Sequence, residues 1–339
     1  MATEHHETNI PLDAVSHRFI ETNGLRMHLA EQGTGPLMLL CHGFPELWYS
    51  WRYQFPALVK AGYHVVVPDL RGYGQTDQPD AIEVYTLLHI VGDLVGVLDV
   101  LGERQAILVG HDWGSTLAWN AALMRPDRFP ALVSMSVPYL PRGPLHGTRA
   151  TVPSTQIWRQ VWGDHFFYQS YFLQPGVAEA ELESDVRTTM RRFLYGLSGD
   201  SPPSERWHPI VSDPQAGALN SAGNPATLPP WVTEADIDFY TVEFERTGFH
   251  GGLNWYRNID RNWELLAAYS GARVTQPTLF LLGDQDPTLE VAGVNKWIER
   301  MQQFVPNLSQ IVLPGCGHWI QQERAPEVNA AILTFLQRL

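Results

Sequence analysis

Five apolar runs without polar alternation constrain this chain most: "PLMLLC" (36–41), "YHVVVPD" (63–69), "QAILVG" (105–110), "ALVSMSV" (131–137) and "PTLFLLGD" (277–284). A strand with one wet face alternates apolar and polar residues, whereas a strand covered on both faces does not. Helix-like segments separate the first four runs, at Trp51 to Ala61, Leu88 to Leu101 and Ser115 to Met124. Strand and helix alternating in this way predict an α/β fold around a mostly parallel sheet. Upstream, "HRFIETNG" and "LRMHLAEQG" read as two strands around Asn23-Gly24, a hairpin dipeptide, which puts an antiparallel strand near the N-terminus.

The rhythm stops after Val137 and returns at Pro277. Between them lie aromatic-rich helical pieces, "QIWRQVWGDHFFYQSYF", "AELESDVRTTMRRFLYG" and "TEADIDFYTVEFERTG", and a Pro/Gly/Ser-rich stretch that reads as loop. The expected organisation is a polar tail over 1–16, a core over 17–138 and 261–339, and an inserted helical cap, or lid, over 139–260. An insertion after the C-terminal end of a strand lies over the place where open α/β sheets bind ligands.

The third run leads into "VGHDWGST". This is a strand–turn–helix with small residues on both sides of the apex, the frame of a nucleophile elbow, but the apex is Asp112 rather than serine. A serine that displaced a leaving group at a saturated carbon would form an ether, which water does not readily cleave. An aspartate forms an ester, which water can hydrolyse. The base expected late in such a chain is His318, in the glycine-bracketed "PGCGHW". The acid that orients it is expected after "PTLFLLG", at Asp286 or, as runner-up, Asp284. "HGFPE" follows the first run, so the Phe44 amide, with that of Trp113, would form an oxyanion hole. His42 and His111 read as structural, and Cys41 and Cys316 as small buried thiols.

Composition narrows the partners. A net charge of −13 disfavours nucleic acid and anionic membranes. No run of about 18 apolar residues is present to span a bilayer. The first residues show no basic and apolar secretory pattern, and two cysteines suit a reducing compartment, so the expected location is cytoplasmic.

Together "HGFPELWYSWR", "PDLRGYGQTD", "VGHDWGS", "LPPWVTEADIDFY", "FERTGFHGGLNWYRNID", "GDQD" and "GCGHW" resemble the soluble epoxide hydrolases of the α/β-hydrolase superfamily, over about residues 17 to 339. The resemblance implies conversion of epoxides to vicinal diols through an alkyl ester on Asp112, hydrolysed by water that His318 activates. It implies two lid tyrosines that hold the epoxide oxygen, Tyr168 and Tyr256, with Tyr171 competing for the first role. It also implies a cis Phe44–Pro45 bond and no metal or organic cofactor. The partners would be a small apolar epoxide and water, with the chain a monomer or homodimer. Trp158, Trp162, Phe166 and Phe167 would line an apolar tunnel. The alternative is a haloalkane dehalogenase, which shares the aspartate and the ester but needs halide donors. A non-catalytic receptor or binding module is the more distant reading.

Overall fold

Asn23 (φ 47°) and Gly24 (φ 75°) turn the chain between β1 (Ser16–Thr22) and β2 (Leu25–Gln32), which pair antiparallel. This is the first hairpin of a computed structural model that describes residues 14–142, 152–291 and 293–339. The tail expected over 1–16 lies, up to residue 13, outside the described residues.

The apolar runs become β3 (Leu37–Cys41), β4 (His64–Pro68), β5 (Ile107–His111), β6 (Leu132–Met135) and β9 (Thr278–Gly283). Every residue of β3, β6 and β9 is buried, which is why none of these strands alternates. With the edge strand β10 (Leu308–Leu313) they form an eight-stranded sheet ordered β1-β2-β4-β3-β5-β6-β9-β10. β2 alone runs opposite to the other seven strands.

The helices over the core are α1 (Phe55–Lys60), α2 (Leu87–Leu101) and α3 (Trp113–Met124). One difference from expectation is local. The helix anticipated over Trp51 to Ala61 is a 3-10 turn over Trp48–Trp51 followed by α1, which starts beside Pro56, a residue suited to a helix's first turn.

Between β6 and β9 the chain builds the lid. Its helices are α4 (Ser154–Trp162), α5 (Tyr168–Phe172), α6 (Val177–Leu182), α7 (Val186–Gly196), α8 (Glu234–Thr247), α9 (His250–Arg257) and α10 (Ile259–Leu265). The stretch read as one helical piece through "QIWRQVWGDHFFYQSYF" is broken. Gly163 adopts φ 55° and ends α4, after which β7 (Phe166–Phe167) pairs with β8 (Ile210–Val211) from the segment read as loop. In α8 a reciprocal cap between Thr233 and Asp236 satisfies two amides of the first turn. The same Asp236 binds the core, accepting from the Tyr49 hydroxyl at 2.8 Å and pairing with Arg52 at 3.1 Å. The chain closes with α11 (Val294–Arg300), α12 (Ile320–Glu323) and α13 (Ala325–Leu336). Among the described residues no helix is long and apolar enough to cross a membrane.

Candidate active site

Asp112 stands between β5 and α3 with φ 53° and ψ −118°, a conformation side-chain-bearing residues rarely adopt. Its neighbours explain how the turn fits. A Cβ on Gly110 would lie 2.2 Å from the Gly114 carbonyl oxygen, and one on Gly114 would lie 2.0 Å from that of Cys41. Only glycine lets the helix start pack so closely on β3. The apex side chain projects beyond the sheet, at a helix N-terminus whose free amides favour an anion.

The loop after β3 meets it there. The Phe44 amide donates to Asp112 Oδ1 at 2.8 Å, and the Phe44–Pro45 bond is cis. His318 Nε2 lies 3.6 Å from the other oxygen, Oδ2. On the far side of the ring, Nδ1 is 3.0 and 3.2 Å from the two oxygens of Asp286. Asp286 is buried behind the ring and fixed by the Thr288 amide and hydroxyl at 2.9 and 2.8 Å. Asp284, its rival in the sequence, is exposed and instead accepts from the Gly315 amide at 2.7 Å, bracing the histidine loop.

Burial alone would depress the His318 imidazole, but the charges of Asp286 and Asp112 outweigh it and hold its pKa well above the ordinary value. Burial alone would raise Asp286, but His318 and the Thr288 donors hold it low. The imidazole thus lies between two carboxyl groups whose influence favours its protonated form.

Tyr256 in α9 is buried over the elbow, its ring centroid 5.4 Å from Phe44 and 5.1 Å from Trp113. Tyr168 opens α5, half-buried, 6.2 Å from Tyr256 ring to ring. Burial first, then the Asp112 charge, pushes both phenols above their ordinary pKa, so each is a neutral hydroxyl. Tyr171 is directed elsewhere, its hydroxyl donating to Glu181 at 2.9 Å.

The four aromatic residues expected along a tunnel divide. Phe167 gathers Trp158 and Trp162 at 5.0 and 4.2 Å and adjoins Tyr168 at 5.2 Å. Phe166 packs against Tyr171 instead, because consecutive strand residues face opposite ways. Around Phe44 the structure adds Phe172, Phe193 and Phe249, none singled out in the sequence.

Sequence reasoning also missed Glu46. It is fully buried, accepts from the Gly43 amide at 2.8 Å, and lies 2.6 Å from His111 Nδ1. Burial opposes its ionisation, yet His111 and its other partners bring its pKa down to about 2. His111 in turn donates from Nε2 to the His318 carbonyl at 2.7 Å. One buried pair thus links the oxyanion-hole loop to the histidine backbone. Its sequence signal was only the Glu that ends "HGFPE". His42 donates to the Gly43 carbonyl and accepts from the Leu70 amide, so both its ring nitrogens have structural partners. Cys41 and Cys316 are buried thiols.

Residues 36–325 match the alpha/beta hydrolase fold family. Over 330 residues the chain is 44% identical to Epoxide hydrolase A of Mycobacterium tuberculosis, covering 97% of this chain and 99% of that protein. The crystal structure of Epoxide Hydrolase A from Mycobacterium thermoresistibile is similar with a TM-score of 0.87 at 47% identity, over 95% of this chain and 98% of that one. An epoxide hydrolase from Vigna radiata is similar at 0.85 and 38% identity, over 97% of this chain and all of that one.

Proposed function

The chain belongs to the α/β-hydrolase fold family and is homologous over nearly its whole length to epoxide hydrolases, enzymes that open epoxides to diols, and from that premise we propose the roles of its residues. Asp112 is the nucleophile. The observation that carries this is the unequal company of its two oxygens: Oδ1 on the Phe44 amide, Oδ2 without a backbone donor among the described residues and 3.6 Å from His318. Oδ2 attacks one ring carbon in line, the C–O bond breaks, and Tyr168 or Tyr256 gives its proton to the departing alkoxide. The resting His318 imidazolium returns a proton to that tyrosine by way of solvent and is left neutral. In the ester Asp112 no longer carries charge, so one of the two groups that raised His318 is gone.

Neutral His318, oriented by Asp286, then takes a proton from water as the water oxygen bonds to the Asp112 carboxyl carbon. The Phe44 and Trp113 amides hold the oxyanion. Collapse breaks the bond to Oδ2, His318 protonates the leaving alkoxide, and the new carboxyl returns a proton to His318. Epoxide plus water gives the diol, and the enzyme regains its starting charges.

Trp158, Trp162 and Phe167 would contact an apolar substituent beside Tyr168, and Phe166 would act behind them. The lid is taken as 139–260, with α10 leading out of it, the core as 17–138 and 261–339, and 1–16 as a tail whose last residue, Ser16, already pairs in β1. A small apolar epoxide as substrate and a cytoplasmic location, as monomer or homodimer, are in keeping with the acidic charge and the two thiols. A single turnover in heavy-oxygen water tests the scheme. The first diol should carry no label and the Asp112 carboxylate should carry it. Label appearing directly in the diol would overturn the assignment of Asp112.

A further inference from the structure

Glu323, the last residue of α12, carries no role in the reaction just described, yet its carboxylate is buried and fully engaged. Its Oε2 accepts from the Gly317 amide and from the Gly199 amide, each at 2.9 Å, and its Oε1 accepts from the Trp319 amide at 3.0 Å. The two residues flanking His318 are therefore held by one side chain, and the same side chain holds a residue of the lid. The intervening amide completes the seam, since His318 N donates to the Leu197 carbonyl at 2.9 Å. The two segments touch through glycine on both sides. A Cβ on Gly317 would lie 2.2 Å from the Gly199 nitrogen, and one on Gly199 would lie 2.5 Å from the Gly315 oxygen.

Capping of α12 alone explains the bond to Trp319 N. It does not explain why the other oxygen faces two glycine amides, one of them more than a hundred residues earlier in the chain. We propose that Glu323 is a positioning residue for the hydrolytic step, fixing the His318 backbone against lid residues 197–199 so that the imidazole keeps its reach toward water and Asp112. The assignment rests on His318 being the base. It predicts an effect on ester hydrolysis and little on ester formation, because the bond-making step depends on Asp112, Phe44 and the tyrosines, and His318 enters that half-reaction only afterwards and through solvent, where its exact placement matters little. A displacement of under an ångström suffices to slow a proton transfer that depends on orientation.

The test follows both half-reactions by stopped-flow tryptophan fluorescence, with styrene oxide as the probe. Glu323→Gln keeps the shape but turns an NH2 toward at least one backbone donor. Ester formation should stay within about twofold of the parent, while hydrolysis slows by roughly tenfold to a hundredfold and the ester accumulates. Equal slowing of both steps, or no slowing of hydrolysis, would overturn the proposal. Should Glu323→Gln not fold, Gly199→Ala probes the seam from the lid side and should give the same selective loss; unchanged hydrolysis there overturns it as well. His318→Gln separates this inference from its premise. It should form ester and not release it. If that variant turns over like the parent, the base itself is misassigned and the role of Glu323 falls with it. If it traps ester while both seam variants hydrolyse normally, only Glu323 is misassigned.

Discussion

In the proposed cycle the electrostatic surroundings of His318 change with the charge on Asp112. In the resting site two carboxyl groups face it and favour its protonated form; in the proposed ester only that of Asp286 would remain charged. Its pKa must then be lower in the ester than in the free enzyme. The base acts only when neutral, so ester hydrolysis should slow as pH falls through that lowered value. Ester formation, which needs no neutral imidazole, should persist at the same pH. Rapid-mixing measurements of both steps across pH check this, and a hydrolysis rate independent of pH would contradict it. The same scale shows what a sequence can reveal. Asp112 is legible because an acid at the apex of a Gly-x-Asp-x-Gly turn has few other uses. Asp286 ranks ahead of Asp284 in the sequence only by lying further into the loop, since residue type does not separate them. They differ in burial, and in whether the carboxylate faces an imidazole or a backbone amide. Glu46 was illegible because nothing in "HGFPE" says that His111, far along the chain, will meet it.

Among the elements, the long apolar strands were the most legible, since burial on both faces leaves its mark in every residue. β7 and β8 left none. Two residues are too few for any period, and their pairing partners are over forty positions apart. That small ribbon matters because it sets where α5 begins. Tyr168 lies at the first position of α5, its amide donating to the Pro209 carbonyl at 3.1 Å, while Tyr171 turns to Glu181. Both phenols lie in α5 three positions apart, and their partners rather than their spacing distinguish them. The contrast is testable. Tyr168→Phe should lower kcat/KM by ~100-fold to 1000-fold, the usual cost of one donor to a developing oxyanion. Tyr171→Phe should stay within about threefold, having lost only a partly exposed bond. Steady-state kinetics on one epoxide decides it; a Tyr171→Phe defect as large as that of Tyr168→Phe would reassign the role.

Across the whole molecule, the lid is fastened to the core at separate points. Arg52 reaches Asp236 of α8 and also donates to Gln322 at 2.7 Å; Trp255 donates to the Arg71 carbonyl at 3.0 Å; and Trp319 donates to the Phe193 carbonyl at 3.3 Å. Both members of the Arg52–Asp236 pair are buried. Removing one leaves the other's charge without its partner in a poorly solvated place, so Arg52→Ala should destabilise the fold by ~3–5 kcal/mol, read from denaturant unfolding. Asp236 is held below its ordinary pKa, with burial opposing and Arg52 and Thr233 prevailing. Its contribution is thus present above the unfolded carboxylate value and disappears as pH falls through the folded one.

The glycine-to-glycine seam also bears on how such enzymes can be recombined. A lid is often pictured as a cassette that could be cut out where the chain leaves the sheet and replaced by that of a relative. Here Leu197 to Gly199 lies far inside that cassette but registers with Gly315 to His318 of the core at main-chain contact. The exchangeable unit is therefore not contiguous. A chimera preserves the base only if the segment around Gly199 is inherited together with the loop around Gly317 and the acid at 323. One that takes a new substrate surface from the rest of the lid can leave those residues untouched.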